Sequence, residues 1–200
     1  MVPSSAPRGD TKERLKTESL ARFLQHGYRG VSVRDIADAL GVTVPVLYYH
    51  FDNKDGLLAA IVEPFANDGE TLLTTLAAAP PLTRRRFVTR ALAGYYDVLV
   101  THLDVFRFVA ADLTVRHHPV AGHRLAAQAT RFLDLLAEPE AGRHGRLCAS
   151  AAMGAIRRPL RAADADPVAD RPHVLSAAVA ACCVAPPRST VGRNGRAAST

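Results

Sequence analysis

The sequence is poor in cysteine, and the three it has, Cys148, Cys182 and Cys183, suit no disulfide framework: the number is odd and two are adjacent. A reducing compartment, the cytoplasm, is therefore expected. No apolar stretch near the start has the form of a secretory signal. The longest weakly polar run, 174–187, is too short to cross a bilayer and reads as a buried helix, so no membrane association is expected. No segment alternates apolar and polar residues as a strand would, and no internal repeat is evident. Catalytic signatures are missing too. There is no glycine-rich phosphate loop, no nucleophile elbow, no HExxH helix and no paired-cysteine zinc motif, so neither an enzyme nor a cofactor is expected. His117, His118 and His123 form the only close histidine group, but they straddle Pro119 without a Cys or carboxylate at ligand spacing. No metal is expected there.

Charge of one sign is also missing where it would be most telling. The net charge is +6, yet residues 1–66 hold eight Lys and Arg against eight Asp and Glu. Bulk charge therefore makes no case for a polyanion partner of this segment. The run Arg84–Arg85–Arg86 projects in three directions on a helix and reads as a solvated first turn, not one site.

What is present concentrates in 31–55, VSVRDIADALGVTVPVLYYHFDNKD. Ser32 with Asp35 has the form of a capping box. Val33, Ile36, Ala37 and Leu40 then give one apolar helical face, and Gly41 can end the helix at positive φ. Thr43 can cap a second helix, with Pro45 tolerated in its first turn. Helix, glycine turn, helix is the outline of a helix-turn-helix, whose second helix enters the DNA major groove. That second helix has one obvious core residue, Leu47. Tyr48, Tyr49 and His50 cannot all face inward beside it, and their polar groups suit phosphates. Pro45 and Val46 suit thymine methyls. Asn53 can cap a following helix, with Lys54 in its first turn facing a phosphate.

The stretch ARFLQHGYRGVSVRDIADALGVTVPVLYYHFDNKDGLLAAI resembles the DNA-binding headpiece of the TetR family of bacterial one-component regulators. Gly27, the DIA triplet, Gly41–Val42 and LYYHF-x-NK fall at matching spacing without a gap, over about a quarter of the chain. The resemblance implies a double-stranded DNA operator as partner, read by Arg34, Thr43, Val44, Pro45, Val46, Tyr48, Tyr49, His50 and Lys54. Arg34 stands where the family's residue can reach a guanine. Val44 and Val46 depart from the polar residues often seen there, which shifts readout towards methyl groups and DNA shape.

The whole chain reads as all-α, about nine helices. Residues 1–9 are expected to be a disordered arm, 10–66 the DNA-binding domain, 67–183 a ligand-binding and dimerisation body, and 184–200 a disordered tail. The first helix is expected over 10–26 and the fourth over 54–65. Body segments follow over 83–102, 104–115, 120–137, 141–160 and 168–183. Aromatics concentrate in the first three of these. With the resemblance, that points to an apolar cavity for a small hydrophobic effector, walled by Tyr95, Leu99, His102, Phe106, Phe108, His123 and Phe132. A strongly anionic effector is not expected, since the arginines of these segments fall mostly off the apolar stripe. In the family the last two helices pair with their copies. Ala151, Ala155, Ala177 and Ala181 are the small residues expected near a homodimer axis. The reading is a transcriptional regulator, a repressor released from a palindromic operator by its effector. An activator, or a non-sensing DNA-binding protein with the same headpiece, is the alternative.

Overall fold

The computed structural model describes residues 8–137, 140 and 142–183. Among them are ten helices and no strand: α1 Arg8–Gly30, α2 Val33–Leu40, α3 Val44–His50, α4 Lys54–Ala77, α5 Arg84–Thr101, α6 Leu103–Ala111, α7 Leu113–Arg116, α8 Ala121–Leu136, α9 Gly142–Leu160 and α10 Arg171–Cys182. The expected tail 184–200, and residues 1–7 of the expected arm, lie outside the described residues.

Local sequence signals account for the headpiece. Regular helix in α1 breaks at Gly27, whose backbone sits at φ 73, ψ 160. The Ser32 hydroxyl accepts the Asp35 N–H at 3.1 Å, and the Ser32 N–H donates to the Asp35 carboxylate at 2.7 Å, closing the capping box. Gly41 ends α2 in the left-handed region. Asn53 caps α4 by accepting the Gly56 N–H at 2.7 Å. Thr43 occupies the cap position of α3, but its side chain makes no cap hydrogen bond.

Helix α1 begins at Arg8, inside the expected arm, and runs on to Gly30; two other boundaries differ more. The fourth helix does not stop near Phe65; it continues through Pro64 to Ala77. A proline inside a helix costs about 3 kcal/mol. Burying Leu73 and Leu76, each 3% exposed, returns about 1.5–3 kcal/mol per side chain, enough to offset it. The expected segment 104–115 is instead two helices. Asp112 takes extended backbone and caps α7, accepting N–H groups of Thr114 and Val115 at 2.8 and 3.3 Å. Its other carboxylate oxygen accepts the Tyr28 N–H at 2.7 Å. Local side-chain bonds compete with helix continuation, and a bond to the headpiece adds to the break.

Two apolar cores result. One joins Leu15, Phe23, Ile36, Leu47, Leu57 and Leu58 of the headpiece to Phe108 and Val115 of the body. The other fills the body with Leu73, Leu92, Tyr96, Leu99, Phe132, Leu136, Ile156 and Leu160. Helix α4 contributes to both, so one rod runs from the headpiece into the body.

Candidate nucleic-acid interface and body cavity

Leu47 is fully buried and fixes which face of α3 turns outward. Pro45 lies on the exposed side, with Tyr48 and Tyr49 49% and 69% exposed. Large aromatics left in water beside a short, well-anchored helix are what a contact surface presents. The Tyr49 ring meets the His50 ring edge-on at 5.2 Å, which holds both at the helix end. Val44 and Val46 are half-buried and Thr43 is exposed. Arg34, on neighbouring α2, has a side chain 84% exposed, and its 4.0 Å ion pair with Asp38 is too open to restrain it.

Lys54 is placed differently from expectation. Its ammonium donates to the Tyr28 carbonyl and lies 4.2 Å from the Tyr28 ring centroid and 5.7 Å from that of Phe23. Partial burial lowers its pKa, against the pull of Asp55 and Asp112. The side chain ties the start of α4 to the end of α1 and does not stand free towards a phosphate. The reason is the aromatic pair beneath it, which offers a cation more than water does.

This lysine belongs to a junction between headpiece and body. The Tyr28 hydroxyl donates to Asp55, and Asp55 lies 3.4 Å from Nε2 of His118. His118 is buried, in the turn between α7 and α8. Its Nδ1 accepts the N–H groups of Val120 and Ala121, which leaves the proton on Nε2, facing Asp55. Burial and the bond to Asp55 push the Tyr28 hydroxyl pKa far up, while Tyr28, then His118 and Lys54, hold the Asp55 carboxyl below the usual range.

A cavity of about 520 Å³ opens within the body, in the size range of small-molecule sites. Of the expected walls, Tyr95, Leu99, Phe106 and Phe132 line it. Tyr95 and Phe132 stack with centroids 4.7 Å apart. Three expected walls do not line it. Phe108 is turned the other way and stacks on Phe23 at 5.5 Å, in the headpiece core. His102 is held by Asp68 at 2.7 Å, against Phe65. His123 is exposed on the outer face of α8. The lining missed by sequence reasoning comes from α4, as Phe65, Gly69 and Leu73, and from α9 and the residue after it, as Arg157 and Arg161. Leu73 could have been found by following the apolar stripe past Pro64; nothing local marks Arg157 as inward. Arg116, His117 and Gln128 complete the polar lining. The three arginines that border the cavity lie outside the aromatic-rich segments, in α7 and at the end of α9, where the expectation did not look.

Residues 18–61 match the pattern of the bacterial regulatory proteins of the tetR family. That match covers the headpiece, less than a quarter of the chain. The chain is 38% identical over 72 residues to the HTH-type transcriptional repressor KstR2 of Rhodococcus jostii, a match covering 34% of this chain and 35% of that protein. It spans roughly a third to a little over half of the length of the curated relatives it matches. The fold extends further. The ketosteroid transcriptional regulator KstR2 of Mycobacterium tuberculosis superposes with a TM-score of 0.65 at 16% identity, covering 88% of this chain and 95% of that one. The transcriptional regulator FadR of Bacillus subtilis, solved in complex with stearoyl-CoA, superposes with a TM-score of 0.57 at 17% identity, covering 84% and 98%. The likeness of fold thus spans headpiece and body. Among the described residues no helix is long and apolar enough to cross a membrane.

Proposed function

We propose that this chain is a DNA-binding transcriptional regulator, a repressor that binds a palindromic operator as a homodimer and leaves it when a small molecule fills the body cavity. The observation that carries this reading is the exposed face of α3, with Tyr48 and Tyr49 displayed on a helix locked by Leu47, in a headpiece matching the TetR pattern. Tyr48, Tyr49 and His50 would contact phosphates, Arg34 a guanine, and Thr43, Val44, Pro45 and Val46 the groove floor and its methyl groups. Lys54 supports the same surface by holding α4 on α1. The KstR2 and FadR neighbours, whose names speak of a ketosteroid and of stearoyl-CoA, support a sensing role for the body.

Release follows from shared parts. The cavity is lined by Arg116, His117 and Gly122, and the same short segment supplies Asp112 and His118 to the headpiece junction. Helix α4 contributes Phe65, Gly69 and Leu73 to the cavity and Lys54 and Asp55 to the junction. A ligand that prefers one arrangement of this segment shifts headpiece position by the ratio of its affinities for the two arrangements. The cavity counts against the non-sensing alternative.

Small residues on the outer faces of α9 and α10 support a two-fold pairing there. Ala151, Gly154, Ala177 and Ala180 are exposed, and Ala155 and Ala181 half-buried, so a second copy could approach closely. Selection of bound duplexes from a random pool by the full chain tests the reading. The expected outcome is an inverted repeat with half-site centres about 34–36 Å apart, or a multiple of that. A pool without sequence enrichment would sink it.

A further inference from the structure

We infer that the body cavity takes an amphipathic anion: an apolar body lying among the aromatic walls, with a carboxylate or phosphate head held by Arg157 and Arg161. This deepens the sensing reading and rests on it. The walls offer apolar area through Phe65, Leu73, Leu99, Phe106 and Phe132, while the charged lining is of one sign. Among the described residues, Arg116, Arg157 and Arg161 border the space with His117 and the amide of Gln128, and no Asp or Glu does. Among the described residues none of the three arginines is in an ion pair. What singles them out is that they border the cavity without an acidic partner, while several other body cations are committed. Arg131 is paired with Glu70, Arg146 with Asp134 and Arg171 with Asp97, while Arg124 bonds Asn67. Arg107 donates to the carbonyls of Leu160 and Ala162 and so fixes the end of α9 beside Arg161.

Arg157 is half-buried, and its Nε donates to the Tyr95 hydroxyl, which aims the guanidinium across the aromatic wall while leaving its other N–H groups uncommitted. Arg161 follows four residues later. Two cations at that spacing repel each other unless an anion sits between them. A guanidinium offers a planar fork that matches two oxygens of one head group, so carboxylate and phosphate are both suitable. A neutral ligand would leave these cations as they are and gain only the walls. A cationic one would add to the repulsion.

The test uses the full chain and three ten-carbon probes: decanoate, decanol and decylammonium. Binding is measured by calorimetry and by the shift in melting temperature. Decanoyl-CoA forms a fourth arm, because a free acid and an acyl carrier present different anionic heads on the same tail. Decanoate or decanoyl-CoA is expected to bind at least roughly tenfold more tightly than decanol, with decylammonium weakest. Whichever of the two anions binds tighter identifies the head-group source. Arg161→Gln, at an exposed position with no side-chain hydrogen bond or ion pair among the described residues, should weaken the anion by roughly tenfold and leave decanol unchanged. Arg157→Lys, which keeps the charge but not the fork, should fall between the wild type and Arg157→Gln. Decanol binding as tightly as both anions, with the anions indifferent to Arg161→Gln, would overturn the anion and leave the sensing cavity standing. Failure of all four probes to bind would overturn both.

Discussion

At the scale of single residues, two positions separate fold from function. Gly27 sits at φ 73, ψ 160, a region open essentially to glycine alone. A Cβ there would meet the Asp112 carboxylate at 3.5 Å, an ordinary contact, so the penalty of Gly27→Ala comes from the backbone and not from crowding. Chemical denaturation should show a loss of about 1–3 kcal/mol; an unchanged midpoint would mean the kink relaxes freely. Arg34 is the opposite case. It has no buried contact, so Arg34→Ala should leave stability unaltered. It should relax base preference at one position per half-site, by about 1–3 kcal/mol if the contact is bidentate. Anisotropy titrations against operators changed one base pair at a time would read this directly, and identical preferences for both proteins would reduce Arg34 to a surface residue.

At the scale of elements, short-range chemistry was legible and long-range chemistry was not. Ser32 with Asp35, Gly41 and Asn53 signal their helix ends within three or four residues, and the structure uses each as the spacing predicts. Thr43 holds its cap position through backbone alone, because nothing in the sequence reports where its hydroxyl turns. The break at Asp112 rests partly on Tyr28, 84 residues earlier, and Arg157 reaches the cavity wall through Tyr95, 62 residues earlier. No local periodicity contains such information. The seat of Lys54 is hidden from the sequence for the same reason, since Tyr28 and Phe23 come under it only after folding. The junction of α1, α4 and the α7–α8 turn yields a pH prediction. Asp55 has its pKa lowered in the folded state, first by the Tyr28 hydroxyl. Its ionised form therefore stabilises the fold above the ordinary aspartate pKa of about 3.9, and that contribution is lost as pH falls through the lower folded value. Asp55→Asn should be less stable than the wild type at neutral pH, with the gap closing in acid. Since the Asp55 side chain is 65% exposed, the gap should be small and shrink with salt. A gap constant between neutral and strongly acid pH would exclude the charge as its origin.

At the scale of the whole molecule, the proposal needs two copies and one movable connection. Ala177 is exposed on α10, so Ala177→Arg adds little strain to a single chain. Within an apolar seam between copies the same charge would be desolvated without a partner. Sedimentation should then show monomers that melt as compact chains and bind operator weakly, because one headpiece reads half a site. An intact dimer would move the interface elsewhere. The connection is tested at Leu99, which is 1% exposed yet borders the cavity, so a larger side chain can extend into free space as well as against packed neighbours. Overpacking a filled core costs about 1–3 kcal/mol; a cavity of about 520 Å³ relieves part of that. Leu99→Trp should therefore fold, occupy the space an effector would take, and leave the headpiece junction of Tyr28, Asp55, Asp112 and His118 untouched. The chain contains no other tryptophan, so the indole also reports its own surroundings by fluorescence. Operator affinity should match the wild type, the emission should be that of a buried indole, and the anion that releases the wild type should no longer release the variant. If that anion releases both proteins at the same concentration, the cavity is not the sensing site. If the variant is already released without any anion, filling the cavity is itself the switch, and the effector acts by volume rather than by what its head group touches.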